Sequence, residues 1–187
     1  LCHNNQLTSL DVSNNTALYH LQCSQNQLTS LDVSNNTALT ELNIADNSLT
    51  YLNMKNGLTN QLTTFDAKDN SLTCIEVLDT DWSTANWTSA NGNIDVGVTF
   101  DVICGAAART NWHVASTGSD ITGSGTLASP LSSIQTAINA TTVGDTVSVA
   151  GGTYVENIEI DKDIAVIGAN RETTIIDGDS SGSVVYF

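Results

Sequence analysis

One pattern returns along the first part of the chain at a fixed spacing of 21 residues. Cys2 recurs as Cys23 and again as Ile44, and a worn copy runs on to Val77. In that register Asn5, Asn26 and Asn47 fall in one column, Leu7, Leu28 and Leu49 in a second, and Asp11 and Asp32 in a third. A constant period of this size predicts a solenoid, because a single unit cannot bury its apolar side until a neighbour covers it. Solenoids present surfaces more often than they perform chemistry, so the repeat bears on function as well as on fold.

The copies read Leu18-x-x-Leu21-x-Cys23-x-x-Asn26-x-Leu28, then Leu39-x-x-Leu42-x-Ile44-x-x-Asn47-x-Leu49, then Leu62-x-x-Phe65-x-Ala67-x-x-Asn70-x-Leu72. The last is displaced by two extra residues between Asn56 and Gln61. A half-repeat, Leu28-x-x-Leu31-x-Val33-x-x-Asn36-x-x-Leu39, is nested between copies. Leu21 and Cys23 are two positions apart, which puts both on the inner side of a strand. The Asn column (Asn5, Asn26, Asn47, Asn70) sits where the chain must turn, and its amides can serve backbone groups exposed there. Two strands and two turns leave no room for a helix within 21 residues.

This LxxLxLxxNxL pattern resembles the leucine-rich repeat family, in its short bacterial subclass with nested repeats. The resemblance covers about residues 1–78 and implies a surface protein of Bacteroidetes-type bacteria. The solvent-facing positions expected on one flank are His20, Gln22 and Ser24, then Glu41, Asn43 and Ala45, then Thr64, Asp66 and Lys68. On the other they are Ser9, Asp11 and Ser13, then Ser30, Asp32 and Ser34, then Tyr51, Asn53 and Lys55. The first flank, through His20, Gln22, Ser24, Glu41, Asn43, Thr64, Asp66 and Lys68, is the expected binding face. The Asp11–Asp32 column has two readings: a binding or weak cation site, or solvated carboxylates whose repulsion salt screens.

Cys2 and Cys23 occupy an inward column and act as small hydrophobes. Cys74 falls in an outward column, and Cys104 follows 30 residues later, with Trp82, Trp87 and Phe100 between them. A Cys74–Cys104 disulfide closing a cap over residues 79–104 is the expectation; two unpaired thiols are the rival. The absence of any CxxC pair argues against zinc. The cap acids Glu76, Asp79, Asp81, Asp95 and Asp101 would suit calcium in number, but match no loop motif. No cofactor is expected.

Residues 105–110 read as a linker, and beyond it Val, Ile and Gly replace the Leu and Asn columns. Trp112-His113-Val114 is strand-like. Ser129-Pro130 is expected to open a short helix with the apolar face Leu131, Ile134, Ala137 and Ile138. Strands are expected over 146–149, 157–160, 164–167, 174–177 and 182–187, with Val147 and Val149 returning as Ile164 and Val166. The order Trp112-His113-Val114, Gly123-Ser124-Gly125-Thr126, Pro130 to Ile138, Gly144-Asp145-Thr146-Val147 and Gly152-Thr153-Tyr154-x-Glu156-Asn157-Ile158 resembles the start of a pectin-lyase-like right-handed parallel β-helix. That resemblance covers residues 111–187 and implies an extracellular, polysaccharide-associated protein, with one helix capping the barrel end. It carries over no catalytic residue, since no lyase motif surrounds Lys162 or Arg171. His3, His20 and His113 lie in no nucleophile motif, and Gly123-x-Gly125 lacks the third glycine of a dinucleotide loop.

The predicted fold class is therefore all-β: a leucine-rich coil with a C-terminal cap, then the first part of a parallel β-helix. Twenty acids against 5 bases, a net charge of −15, argue against nucleic acid or an anionic membrane as partner. No apolar run approaches a membrane span. The chain starts inside a repeat and stops on a strand-like run, which leads us to expect a piece of a longer protein. The expected role is an interaction module of a secreted or cell-surface bacterial protein, with a protein or polysaccharide ligand. The alternative is the targeting part of a polysaccharide lyase or glycoside hydrolase.

Overall fold

From Leu18 onward, each repeat of the first half lays down two three-residue strands, one per flank. The middle residue of each is apolar and points inward. In the computed structural model, which describes residues 1–57, 59–105, 109–180 and 182–187, the chain divides into two units, Leu1–Cys104 and Gly105–Phe187. Of the expected linker, residues 106–108 lie outside the described residues, as does Leu58 in the segment from Asn56 to Gln61 that carries the two extra residues.

The strands of the first unit are β1 (His20–Gln22), β2 (Ser30–Asp32), β3 (Glu41–Asn43), β4 (Tyr51–Asn53), β5 (Thr64–Asp66), β6 (Cys74–Glu76) and β7 (Thr99–Asp101). One flank is the parallel sheet β1-β3-β5; the other is β2-β4-β6-β7. Leu21 lies beside Leu42, and Leu42 beside Phe65. Their neighbours two positions on, Cys23, Ile44 and Ala67, are buried in the same core. Only burial against adjacent coils stabilises strands this short.

Every turn after the first flank passes through one residue in the left-handed region. Asn4, Gln25, Asp46 and Asp69 have φ of 56°, 56°, 54° and 55°. The Asn that follows each of the last three locks the turn. The Nδ2 of Asn26 donates to the carbonyls of Cys2, Cys23 and Ser24, and its Oδ1 accepts the Leu7 amide at 3.0 Å. Asn47 and Asn70 repeat this set one rung on, accepting the amides of Leu28 and Leu49. The result is a continuous amide ladder along one edge of the coil.

A lid closes the last rung. Beyond what the repeat pattern predicts, α1 spans Thr80–Asn86, with Asp79 as N-cap accepting the Trp82 amide. Trp87 stacks on Phe65 with ring centroids 4.2 Å apart, flanked by Trp82 and Phe100. In earlier turns the amide pair ahead of the ladder donates to two carbonyls of the next rung, as Asp46 and Asn47 do to Lys68 and Asp69. After the last turn the Asp95 carboxylate takes their place, accepting the amides of Asp69 and Asn70 at 3.1 Å each.

In the second unit β8 (Asn111–Val114) and α2 (Ile134–Ala140) precede two coils of three strands. The first coil is β9 (Thr146–Val149), β10 (Gly152–Val155) and β11 (Ile158–Glu159); the second is β12 (Ala165–Gly168), β13 (Thr174–Asp177) and β14 (Val185–Tyr186). They pair in parallel as β9-β12, β10-β13 and β11-β14, with β8 on the other edge of β9. Two expectations are corrected. Val147 lies beside Val166 and Val149 beside Gly168, a register two residues away from the expected one. The helix begins at Ile134 with Ser133 as N-cap, not at Pro130, because Leu131 is held in a parallel bridge to Val114.

Charged residues far away in sequence hold both ends of α2. The Glu156 carboxylate accepts the amides of Ile134 and Gln135 at 2.8 and 2.9 Å, and the Lys162 ammonium donates to the carbonyls of Ile138, Asn139 and Thr141. Each charge opposes the helix dipole at its own end. The glycine pair 123/125 is steric rather than phosphate-binding. A Cβ on Gly123 would lie 2.1 Å from the Ser119 carbonyl oxygen, and Gly125, at φ +67°, sits against the Trp112 ring.

Candidate interaction face

The strand register of β1, β3 and β5 gathers the expected face into a grid. His20, Glu41 and Thr64 form one row, and Gln22, Asn43 and Asp66 the next. Ser24 and Lys68 lie beside the turns that follow. All are half-buried except Thr64, which is exposed. Ala45, expected to face outward with them, is buried. The His20 imidazole contacts the Glu41 carboxylate, and Gln22 Nε2 lies 3.4 Å from His20 Nε2. Lys68 is 3.9 Å from Asp66, a loose surface pair worth little by itself.

Sequence reading passed over Tyr19. It is 65 % exposed, and its ring meets His20 edge-on at 5.8 Å. It stands at the border of the grid, next to His20 at the start of β1. Its signal was an aromatic between Leu18 and Leu21, in a chain with only 4 Tyr.

The acidic and amide residues that end the strands have a backbone duty. Asp11, Asp32 and Asn53 on one flank accept the amides of Ser13, Ser34 and Lys55, each two residues on. On the other flank Asn43 and Asp66 accept those of Ala45 and Lys68. Hydrogen bonds from the Ser13 hydroxyl and amide hold the Asp11 carboxyl below the usual carboxylate range. The Asp11–Asp32 column is therefore a row of turn caps lining a shallow cleft of about 290 Å³ with Ser30 and Tyr51.

Asn53, Lys55 and Ser34, expected in solvent, are buried. The Lys55 ammonium donates to the Val102 carbonyl at 3.1 Å and pairs with Glu76 at 3.0 Å. Glu76 also accepts the Tyr51 hydroxyl and the Cys104 amide, both at 3.2 Å. Burial first, and then the Glu76 charge, push the Tyr51 phenol up to about 12. Beside this knot Cys74 and Cys104 are joined by a disulfide, Cα–Cα 5.7 Å. Of the cap acids, Glu76, Asp79, Asp95 and Asp101 accept hydrogen bonds from the unit itself, and among the described residues no three His, Cys, Asp or Glu converge as metal ligands.

In the second unit a mostly apolar groove of about 330 Å³ runs over His113, Ser148 and Ile167, with Leu127 and Pro130 as one wall. Among the described residues no helix is long and apolar enough to cross a membrane.

Neither a family model nor a curated protein matches the chain. Among solved structures the chain is similar to one titled "Functional domain of InlJ from Listeria monocytogenes includes a cysteine ladder", at 24 % identity and a TM-score of 0.37. The likeness covers 95 % of this chain but only 38 % of that one. Each unit is thus defined by its own ladders: among the described residues, short strands in parallel sheets of β-solenoid type with one short α-helix per unit.

Proposed function

We propose that the chain is an interaction module of a secreted or cell-surface bacterial protein. On this reading residues 1–104 are a leucine-rich-repeat stack with its cap, and residues 111–187 begin a pectin-lyase-like parallel β-helix. The ligand is a protein or glycan met by the β1-β3-β5 face. The observation that carries this is the in-register grid of His20, Gln22, Glu41, Asn43, Thr64 and Asp66, with exposed Tyr19 at its border. Regularly spaced donors and acceptors on a rigid sheet lose little entropy on binding. A closed disulfide beside the cap supports an oxidising compartment, and the strong negative charge supports a partner that is not anionic.

The test is a binding screen of the intact chain against glycan and surface-protein arrays, followed by variants of any hit. Tyr19→Ala and Glu41→Lys should each weaken binding at least about tenfold, while Ser30→Ala on the opposite flank leaves it unchanged. A ligand that ignores both face variants, or turnover of an acidic polysaccharide by this chain, would refute the proposal.

A further inference from the structure

We propose that Cys2 and Cys23 are a disulfide-forming pair, a covalent staple between adjacent rungs of the coil. The backbone sets the pair up. The amides of Cys2 and Asn4 donate to the carbonyls of Gln22 and Ser24 at 2.8 and 3.0 Å, so segment 2–4 runs in parallel beside 22–24. Adjacent rungs of a parallel sheet are about 4.8 Å apart, inside the roughly 4.4–6.8 Å window of disulfide Cα separations. Both side chains point to the same inner column, and their sulfurs lie 2.6 Å apart.

The shared inner column on adjacent rungs, together with that close approach, favours a bond over the other roles open to two stacked cysteines. Non-bonded heavy atoms settle at roughly 3.5–4 Å, so two thiols acting only as small hydrophobes would stand well further apart. A metal bridging two sulfurs would hold them near twice the metal–sulfur bond of about 2.3 Å. A disulfide needs about 2.05 Å, and closing the gap takes roughly half an ångström. A second observation concerns environment: Cys74 and Cys104 of the same unit are already joined, so the chain matures where disulfides persist.

The two sulfurs differ in access. Cys23 is fully buried, and burial followed by its hydrogen bond with Cys2 drives its thiol far up the pH scale. Cys2 is only partly buried and is the sulfur an oxidant reaches. The oxidant is a low-molecular-weight or protein disulfide. The Cys2 thiolate attacks one of its sulfurs, the S–S bond breaks, and one thiolate leaves. Cys23 then gives up its proton and attacks the Cys2 sulfur, expelling the second thiolate. In sum two cysteine thiols lose two electrons and two protons, and one disulfide is reduced to two thiols.

The test uses the intact chain equilibrated with oxidised glutathione, then denatured and alkylated without reduction. Alkylatable thiols should fall from two, Cys2 and Cys23, to none. Proteolytic cleavage before Asp11 and Asp32 should leave the peptides carrying Cys2 and Cys23 joined until reductant is added. In Cys23→Ser, Cys2 should be recovered as a glutathione adduct; in Cys2→Ser, buried Cys23 should remain a free thiol. The Cys74–Cys104 link serves as the folding control in every sample. Two alkylated cysteines in the folded chain, or a stable Cys2 glutathione adduct beside a free Cys23, would overturn the proposal.

Discussion

The Asp and Asn that close β2, β3, β4, β5 and β7 act on the backbone before they act on any ligand. Asp32 accepts the Ser34 amide at 2.8 Å and the Asn53 side-chain amide at 3.3 Å, so Asp32→Ala leaves two donors short of a partner. We expect that variant to lose about 1 kcal/mol in urea unfolding, and Asp32→Asn to lose only a few tenths. Tyr51 supplies a pH test. Its folded pKa lies above the unfolded value of 10, so between about 10 and about 12 the native state keeps a proton that the unfolded chain has released. Its contribution is complete below about 10 and disappears as pH rises towards 12. Urea midpoints should fall over that window, and the fall should be shallower in Tyr51→Phe. Equal slopes in the two proteins would place the effect elsewhere.

Single elements are held by groups that arrive from distant parts of the chain, which limits what a local sequence can disclose. The seven-residue helix α2 is too short to persist without help. Glu156→Gln removes the charge facing its first amides and should cost about 1 kcal/mol; Lys162→Met should cost a similar amount at the other end. Matched denaturant midpoints would disprove both. Just past β4, Lys55→Met strands the Glu76 carboxylate, for an expected loss of about 3–5 kcal/mol, whereas the double change Lys55→Met with Glu76→Leu should recover much of it. The parallel flanks were readable because Leu21, Leu31, Leu42 and Leu52 repeat at strand spacing. The burial of Lys55 was not, since strand register alone points it outward. Its partners are the Glu76 carboxylate and the Val102 carbonyl, 21 and 47 residues later in the chain. The helix α1 belongs to no repeat, and its one local mark was Asp79 three residues ahead of Trp82. The β9-β12 register is not legible locally, because alternation allows Val147 to pair with either Ile164 or Val166 equally well. The gathering of His20, Glu41 and Thr64 followed from the period; the prominence of Tyr19 did not, as no column predicted it.

For the repeat-bearing unit as a whole, the governing risk is opening from the end. A coil stabilised by nearest neighbours frays wherever its last apolar rung meets water. The lid of Trp82, Trp87 and Phe100 covers that rung, and the Cys74–Cys104 bond ties β6 to the chain beyond β7 across 30 residues. A loop of that length predicts about 3–4 kcal/mol of stabilisation. The double variant Cys74→Ser with Cys104→Ser should lose that much in denaturant unfolding, with hydrogen exchange accelerating first in β5, β6 and α1. Acceleration confined to β1 would contradict the picture. The Asp95 carboxylate has a wider implication. It answers two backbone donors that every turn of this kind offers, whatever side chains the turn carries. Whole rungs could thus be added or removed upstream without redesigning the terminus, leaving the reach of the stack free to vary while its closure stays the same.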